Sequence, residues 1–181
     1  MTSLTQRLFV IDEALNAADI PHAFGGAIAL AYCTQEPRST QDLDINVFVP
    51  HDEADFALEE LGQVITVTAQ NRDDIRKSGQ TRAWFDETPI DLFFNNHPFH
   101  EFVANRITFA PLGENTIPLL DCTSLAVFKI FFNRTKDWAD LEAMNEAGQL
   151  DKTALKVILA DLIGDDDPRL TRLANLNVES E

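Results

Sequence analysis

The sequence predicts an α/β domain followed by a helical segment, and three observations carry that prediction. Short apolar runs, β-branched or alternating, recur between residues 43 and 110 with turn formers between them. Apolar residues at helical spacing open the chain and return after residue 118. No repeat or low-complexity tract interrupts the 181 residues, and a 45% hydrophobic content suffices for a packed core. The boundary is placed at the turn-rich stretch Pro111 to Pro118, giving an α/β domain over 1–118 and a helical domain over 119–181.

Leu4, Leu8, Ile11, Leu15 and Ala18 mark an amphipathic helix that ends at Ile20-Pro21. His22-Ala23-Phe24 reads as a short strand leading into Gly25-Gly26, and Ala27 to Cys33 as an apolar helix. A polar loop, Pro37 to Gln41, precedes a strand from Leu43 to Val49 that Pro50 stops. Asp52 to Leu61 suits a helix with acids in its first turn. Val64 to Thr68 reads as a strand, and Asn71 to Gly79 as a charged loop or short helix. Thr81 to Phe85 and Ile90 to Phe94 form a hairpin around Asp86-Glu87-Thr88-Pro89. Arg106 to Ala110 suggests one more strand. Helices are expected at Thr123 to Phe132, Trp138 to Ala147 and Thr153 to Ile163. Asp165-Asp166-Asp167-Pro168 breaks that pattern, and the tail after Asn175 is expected to be loose.

Fourteen basic and 30 acidic residues give a net charge of −16, which opposes non-specific binding to nucleic acid or an anionic membrane. No stretch approaches a membrane span, and Met1 to Val10 carries no long apolar run. Cys33 and Cys122 show no metal-binding spacing, so a cytoplasmic protein with two free, core-packed thiols is expected.

The chemistry-bearing residues are carboxylates and glycines. Asp42 and Asp44 flank one residue at the head of a strand, so both point to one face. Asp91 stands between Ile90 and Leu92, where a carboxylate needs a cation or a donor. If the two strands are neighbours, three carboxylates converge on the all-oxygen ligation that suits Mg²⁺. Gly25-Gly26, before an apolar helix, lets backbone N–H groups approach phosphates. Arg38 and Thr40 admit two readings: a loop charge and a turn hydroxyl, or a phosphate contact and a loop ordered by Asp42. Lys129 lies in an apolar run; on a continuous helix it shares a stripe with Asn133, Lys136 and Asp140, which is either a wet face or a cleft face. His97 and His100 lack a third ligand nearby and read as loop residues. Together the set suggests phosphoryl or nucleotidyl transfer.

These residues resemble a known family. Phe24-Gly25-Gly26, Arg38-Ser39-Thr40-Gln41-Asp42-Leu43-Asp44-Ile45 and Ile90-Asp91-Leu92 look like the minimal nucleotidyltransferases of the DNA polymerase β superfamily. Phe128-Lys129-Ile130 with Asn133-Arg134-Thr135-Lys136-Asp137-Trp138-Ala139-Asp140-Leu141 is similar to the lysine and R-x-K-D-x-x-D-L elements of AbiEii/AbiGii-type toxins. The resemblance implies a nucleotidyltransferase fold, a mixed sheet flanked by helices with a C-terminal helical bundle. It implies Mg²⁺, or Mn²⁺ in its place, on Asp42 and Asp44, with Asp91 helping to activate the acceptor. Gly25, Gly26, Arg38, Thr40 and Lys129 are then nucleotide contacts, and Asp137 a catalytic base. The implied reaction moves a nucleoside monophosphate from an NTP to an acceptor hydroxyl on a tRNA 3′ end or a protein. The implied setting is the cytoplasm, beside a cognate antitoxin and without a membrane. Many members carry Gly-Ser where this chain has Gly25-Gly26; Gly-Gly occurs in antibiotic nucleotidyltransferases of the aminoglycoside and lincosamide type. That departure keeps two alternatives in view: an antibiotic nucleotidyltransferase, and a non-catalytic relative that binds a nucleotide or partner.

Overall fold

The computed structural model describes residues 3–176, so the expectation for the tail falls, from residue 177 on, outside the described residues. The chain divides into two compact units. One takes the residues up to Ile28 together with Ser39–Leu120; the other takes Ala29–Arg38 and the residues from Asp121 onward.

The first unit opens with α1 (Leu4–Ala17). The Ser3 side chain accepts the Gln6 N–H while the Gln6 side chain accepts the Ser3 N–H, so two orphan donors are satisfied reciprocally. The helix buries Leu8, Ile11 and Leu15, one face at helical spacing. Then follow β1 (His22–Phe24), α2 (Gly26–Thr34), which from Ala29 on belongs to the second unit, β2 (Leu43–Pro50), a 3-10 turn at His51–Glu53 and α3 (Asp55–Leu61). After α4 (Ala69–Ser78) come β3 (Gln80–Phe85), β4 (Thr88–Asn95), α5 (Phe99–Ala104), β5 (Thr108–Leu112) and β6 (Asn115–Leu119).

The strands form one six-stranded sheet in the order β3-β4-β2-β1-β6-β5. β2 runs parallel to β4 and β1 parallel to β6; the other neighbours are antiparallel. Leu43, Ile45 and Val47 of β2 and Ile90, Leu92 and Phe94 of β4 are buried, alternating along β4 with the half-buried Asp91, Phe93 and Asn95. Asp44 and Asp91 therefore share the other face of the sheet. Arg7 of α1 donates to Thr88 and Asp86 at the hairpin turn, tying the helix to the β3–β4 end.

The second unit contains α6 (Cys122–Phe132), α7 (Thr135–Glu146), α8 (Lys152–Ile163) and α9 (Pro168–Ala174). Leu125, Ile130, Trp138, Leu141, Met144, Leu155, Leu159 and Leu173 form its core.

Several expectations are corrected. Val64 to Thr68 is not a strand: only Thr66 bridges to Trp84, and its neighbours turn. Asn71 to Gly79 resolves as the helix α4, started by Thr68, whose hydroxyl accepts the Asn71 N–H, and ended by left-handed Gly79. Three elements were unforeseen. α5 lies where the histidine pair reads as loop, β6 lies inside the turn-rich stretch, and α9 starts on the Pro168 that reads as a breaker. Proline is compatible with a first helical turn, where its missing N–H needs no partner. The free thiols are also overturned, since Cys33 and Cys122 are joined as a disulfide across 89 residues. Among the described residues no helix is long and apolar enough to cross a membrane.

Candidate active site

The row of chemistry lies across four adjacent strands of the first unit. Parallel pairing sets Asp44 opposite Asp91, and antiparallel pairing sets Arg82 opposite Asp91. On the other side β1 pairs Phe24 with Ile45, and the Gly25 N–H donates to the Asp44 carbonyl at 2.9 Å. Arg82, Asp91, Asp44 and Gly25 thus occupy one line across the sheet. Asp42 stands two residues before Asp44, in the bend that leads into β2.

Gly26 explains the diglycine. Its φ is +52°, and a Cβ there would sit 1.8 Å from Asp44 Oδ2. The carboxylate fills the space a side chain would need, so only glycine combines this left-handed turn with Asp44 in place. A Cβ on Gly25 would meet Leu120 and Asn46 at 3.1 and 3.2 Å. The turn therefore brings bare backbone to Asp44 at the N-terminus of α2, the end of a helix whose backbone N–H groups favour anions.

Thr40 donates its hydroxyl to Asp42 Oδ1 at 2.6 Å and so orients that carboxylate. Arg82 Nε and Nη2 each donate to Asp91 at 2.7 Å, one to each carboxylate oxygen. Arg82 Nη2 also lies 3.9 Å from Asp42. The hydrogen bonds that Arg82 donates to Asp91, and then the charges of Asp91, Asp42 and Asp44, raise the Arg82 pKa against partial desolvation. The cation that Asp91 needs is a guanidinium. Among the described residues no three His, Cys, Asp or Glu side chains are grouped to hold a metal, which corrects the expected three-carboxylate cage. Asp42 and Asp44 could supply two carboxylates to a divalent cation; with waters and phosphate oxygens that is a donor set that suits Mg²⁺.

The second unit holds the other sequence-predicted residues. Lys129 is 8% exposed and donates to Asp140 Oδ2 at 2.6 Å, and Arg38 lies 3.9 Å from Asp140. The stripe through Lys129 and Asp140 is not one helix face. α6 ends at left-handed Asn133 (φ 56°), which also accepts the Trp138 indole N–H at 2.7 Å, and α7 brings Asp140 back to Lys129. Asp137 is 1% exposed and accepts three hydrogen bonds from Arg134, at 3.0, 2.7 and 3.0 Å. Burial pushes its carboxyl up, but the Arg134 hydrogen bonds and the charges of Arg134 and Lys129 hold it below the usual range. A carboxylate held this way has low proton affinity.

Arg82 escaped the sequence reading because the length of one turn decides its register. A hairpin centred on Asp86-Glu87-Thr88-Pro89 sets Trp84 opposite Asp91. The observed turn is the two residues Asp86-Glu87, with Asp86 at φ +51°, and it moves Arg82 into that place.

No family model and no curated protein sequence matches the chain. Solved structures do. A lincosamide antibiotic adenylyltransferase, LnuA, bound to lincomycin, is 13% identical with a TM-score of 0.56, covering 81% of this chain and 99% of that one. ANT(2'')-Ia in complex with adenylyl-2''-tobramycin is 10% identical with a TM-score of 0.55, covering 94% and 98%. An antigenic nucleotidyltransferase-like protein from Paracoccidioides brasiliensis is 15% identical with a TM-score of 0.52, covering 96% and 94%. The six-stranded mixed sheet flanked by helices is thus the fold of nucleotidyltransferases.

Proposed function

We propose that this chain is a divalent-metal-dependent nucleotidyltransferase that moves a nucleoside monophosphate from an NTP to an acceptor hydroxyl. The observation that carries the reading is Asp44 seated against the Gly25-Gly26 turn, with Asp91 opposite it in register. A Mg²⁺ or Mn²⁺ held by Asp42 and Asp44 would neutralise triphosphate charge and orient the in-line displacement. Gly25 and Gly26, without side chains, would let phosphate oxygens approach the backbone N–H groups at the start of α2. Thr40 keeps Asp42 oriented. Asp91, or Asp137 as the resemblance has it, takes the acceptor proton; Asp91 is the stronger candidate because it shares the row with Asp44. The acceptor oxygen bonds to the α-phosphorus as pyrophosphate leaves with the bridging oxygen. Lys129 and Arg38, which both approach Asp140, are the cations that the resemblance assigns to phosphate charge.

The acceptor we favour is a small hydroxylated molecule of the antibiotic kind. A charge of −16 suits a neutral or cationic acceptor better than a polyanion, and structures similar to this chain hold lincomycin and adenylylated tobramycin. The second reading is the toxin of a toxin–antitoxin pair, modifying a tRNA 3′ end or a protein. The Lys129 and Asp137-x-x-Asp140 segment favours it. The requirement for NTP supports a cytoplasmic setting, against which the Cys33–Cys122 bond stands, since disulfides are rare in reducing compartments.

The test is incubation with each α-labelled NTP and Mg²⁺ or Mn²⁺, with lincosamides, aminoglycosides, total tRNA or lysate protein. Label should pass to one acceptor class and fall at least about 100-fold in Asp44→Asn, as for loss of a metal ligand. Folded protein that binds NTP and Mn²⁺ yet labels nothing would instead be the non-catalytic relative.

A further inference from the structure

A guanidinium lies between two carboxylates of the acidic row. Arg82 on β3 holds both oxygens of Asp91 at 2.7 Å and reaches within 3.9 Å of Asp42, while Asp91 lies in register with Asp44. A bidentate arginine matches a carboxylate in geometry as well as charge. It is also tethered: a second metal ion at Asp91 would have to displace a cation that the backbone holds at high effective concentration.

We propose, resting on the metal-dependent reading above, that Arg82 is a built-in counter-ion that reserves Asp91 and limits the acidic row to one divalent cation, on Asp42 and Asp44. Without Arg82, carboxylates on adjacent strands repel one another and draw in a second ion. With it, Asp91 stays oriented and remains outside the metal's shell. Arg82 is thus a positioning residue, acting through Asp91. Its side chain is 51% exposed, so its removal opens no core cavity.

The number of ions bound tests this directly. Mn²⁺ is titrated into the full chain, followed by calorimetry and by the paramagnetic signal of the free ion, alone and with α,β-methylene analogues of the four NTPs. Wild type and Arg82→Lys should bind one ion. Arg82→Gln and Arg82→Met, two independent neutral variants checked for folding by thermal melts, should bind two. Asp42→Asn with Asp44→Asn should bind none. Two ions on wild type, or a single ion on every Arg82 variant, overturns the inference and leaves nucleotidyl transfer standing. If wild type takes no ion with or without nucleotide, the metal-dependent reading fails and takes the inference with it. Should neither neutral variant fold, the wild-type count still decides, because two ions sink the idea.

Discussion

Gly26 shows how much one hydrogen atom decides. With φ at +52° and Asp44 Oδ2 1.8 Å from where a Cβ would lie, the residue cannot gain a side chain without moving the carboxylate. Restoring the serine found in many members of the resembled family should therefore damage the site. Gly26→Ser and Gly26→Ala are expected to lose roughly 1 to 3 kcal/mol of stability from the left-handed backbone and the clash. Both should lose Mn²⁺ affinity by at least about tenfold, since a shifted ligand costs on the order of 1.4 kcal/mol or more. Thermal melts and metal titration check this. A Gly26→Ser variant that binds metal more tightly would mean that the hydroxyl matters more than the space Asp44 fills. The diglycine was legible in the sequence as a close-approach turn. Its partner was not, because Asp44 lies 18 residues on and reaches it only through pairing of β1 with β2.

Between elements, small local errors decide which side chains meet. The β3–β4 hairpin was legible, but the length of its turn was not. A two-residue rather than four-residue turn shifts the register and exchanges Trp84 for Arg82 opposite Asp91. At α9 the same Asp-Pro pair that reads as a break is the start of a helix, with Asp167 accepting the Arg169 N–H at 2.9 Å. Hydrogen bonds from the Arg169 side chain, then its backbone, push the Asp167 carboxyl down to about 2 from 3.8. A lowered folded-state pKa stabilises the native state above the unfolded value, and that contribution disappears as pH falls through the folded one. The capping contribution should be complete above about pH 4 and vanish toward pH 2. Denaturant midpoints for wild type and Asp167→Asn should accordingly differ at pH 6 and converge near pH 2. Asp137, also held low, titrates in the same direction, so the difference between the two proteins, not the raw slope, reports on Asp167.

Across the whole molecule, the Cys33–Cys122 disulfide closes a loop of 89 residues and staples the end of α2 to the start of α6. Loop entropy in the unfolded chain makes such a bond worth about 4 kcal/mol. Melting with a phosphine reductant should lower Tm by on the order of 10 °C for a chain of this size. The Cys33→Ser, Cys122→Ser double variant should melt at the reduced value with or without reductant. An unchanged Tm would show that the thiols are free in solution, as their spacing suggests. The sequence by itself determined most of the strands and helices, the early helix face, and the placement of Asp44 and Asp91 on strands with Asp42 just before the first of them. These follow from period-two and period-3.6 patterns and from turn formers, all of which act over a few residues. Only the tertiary structure decided that β2 lies between β1 and β4 and that Arg82 answers Asp91. It alone seated Asp44 on Gly26 and brought the two cysteines together. Each of these depends on pairing between segments tens of residues apart in all but the hairpin, and in the hairpin on a turn whose left-handed Asp86 no local pattern announced.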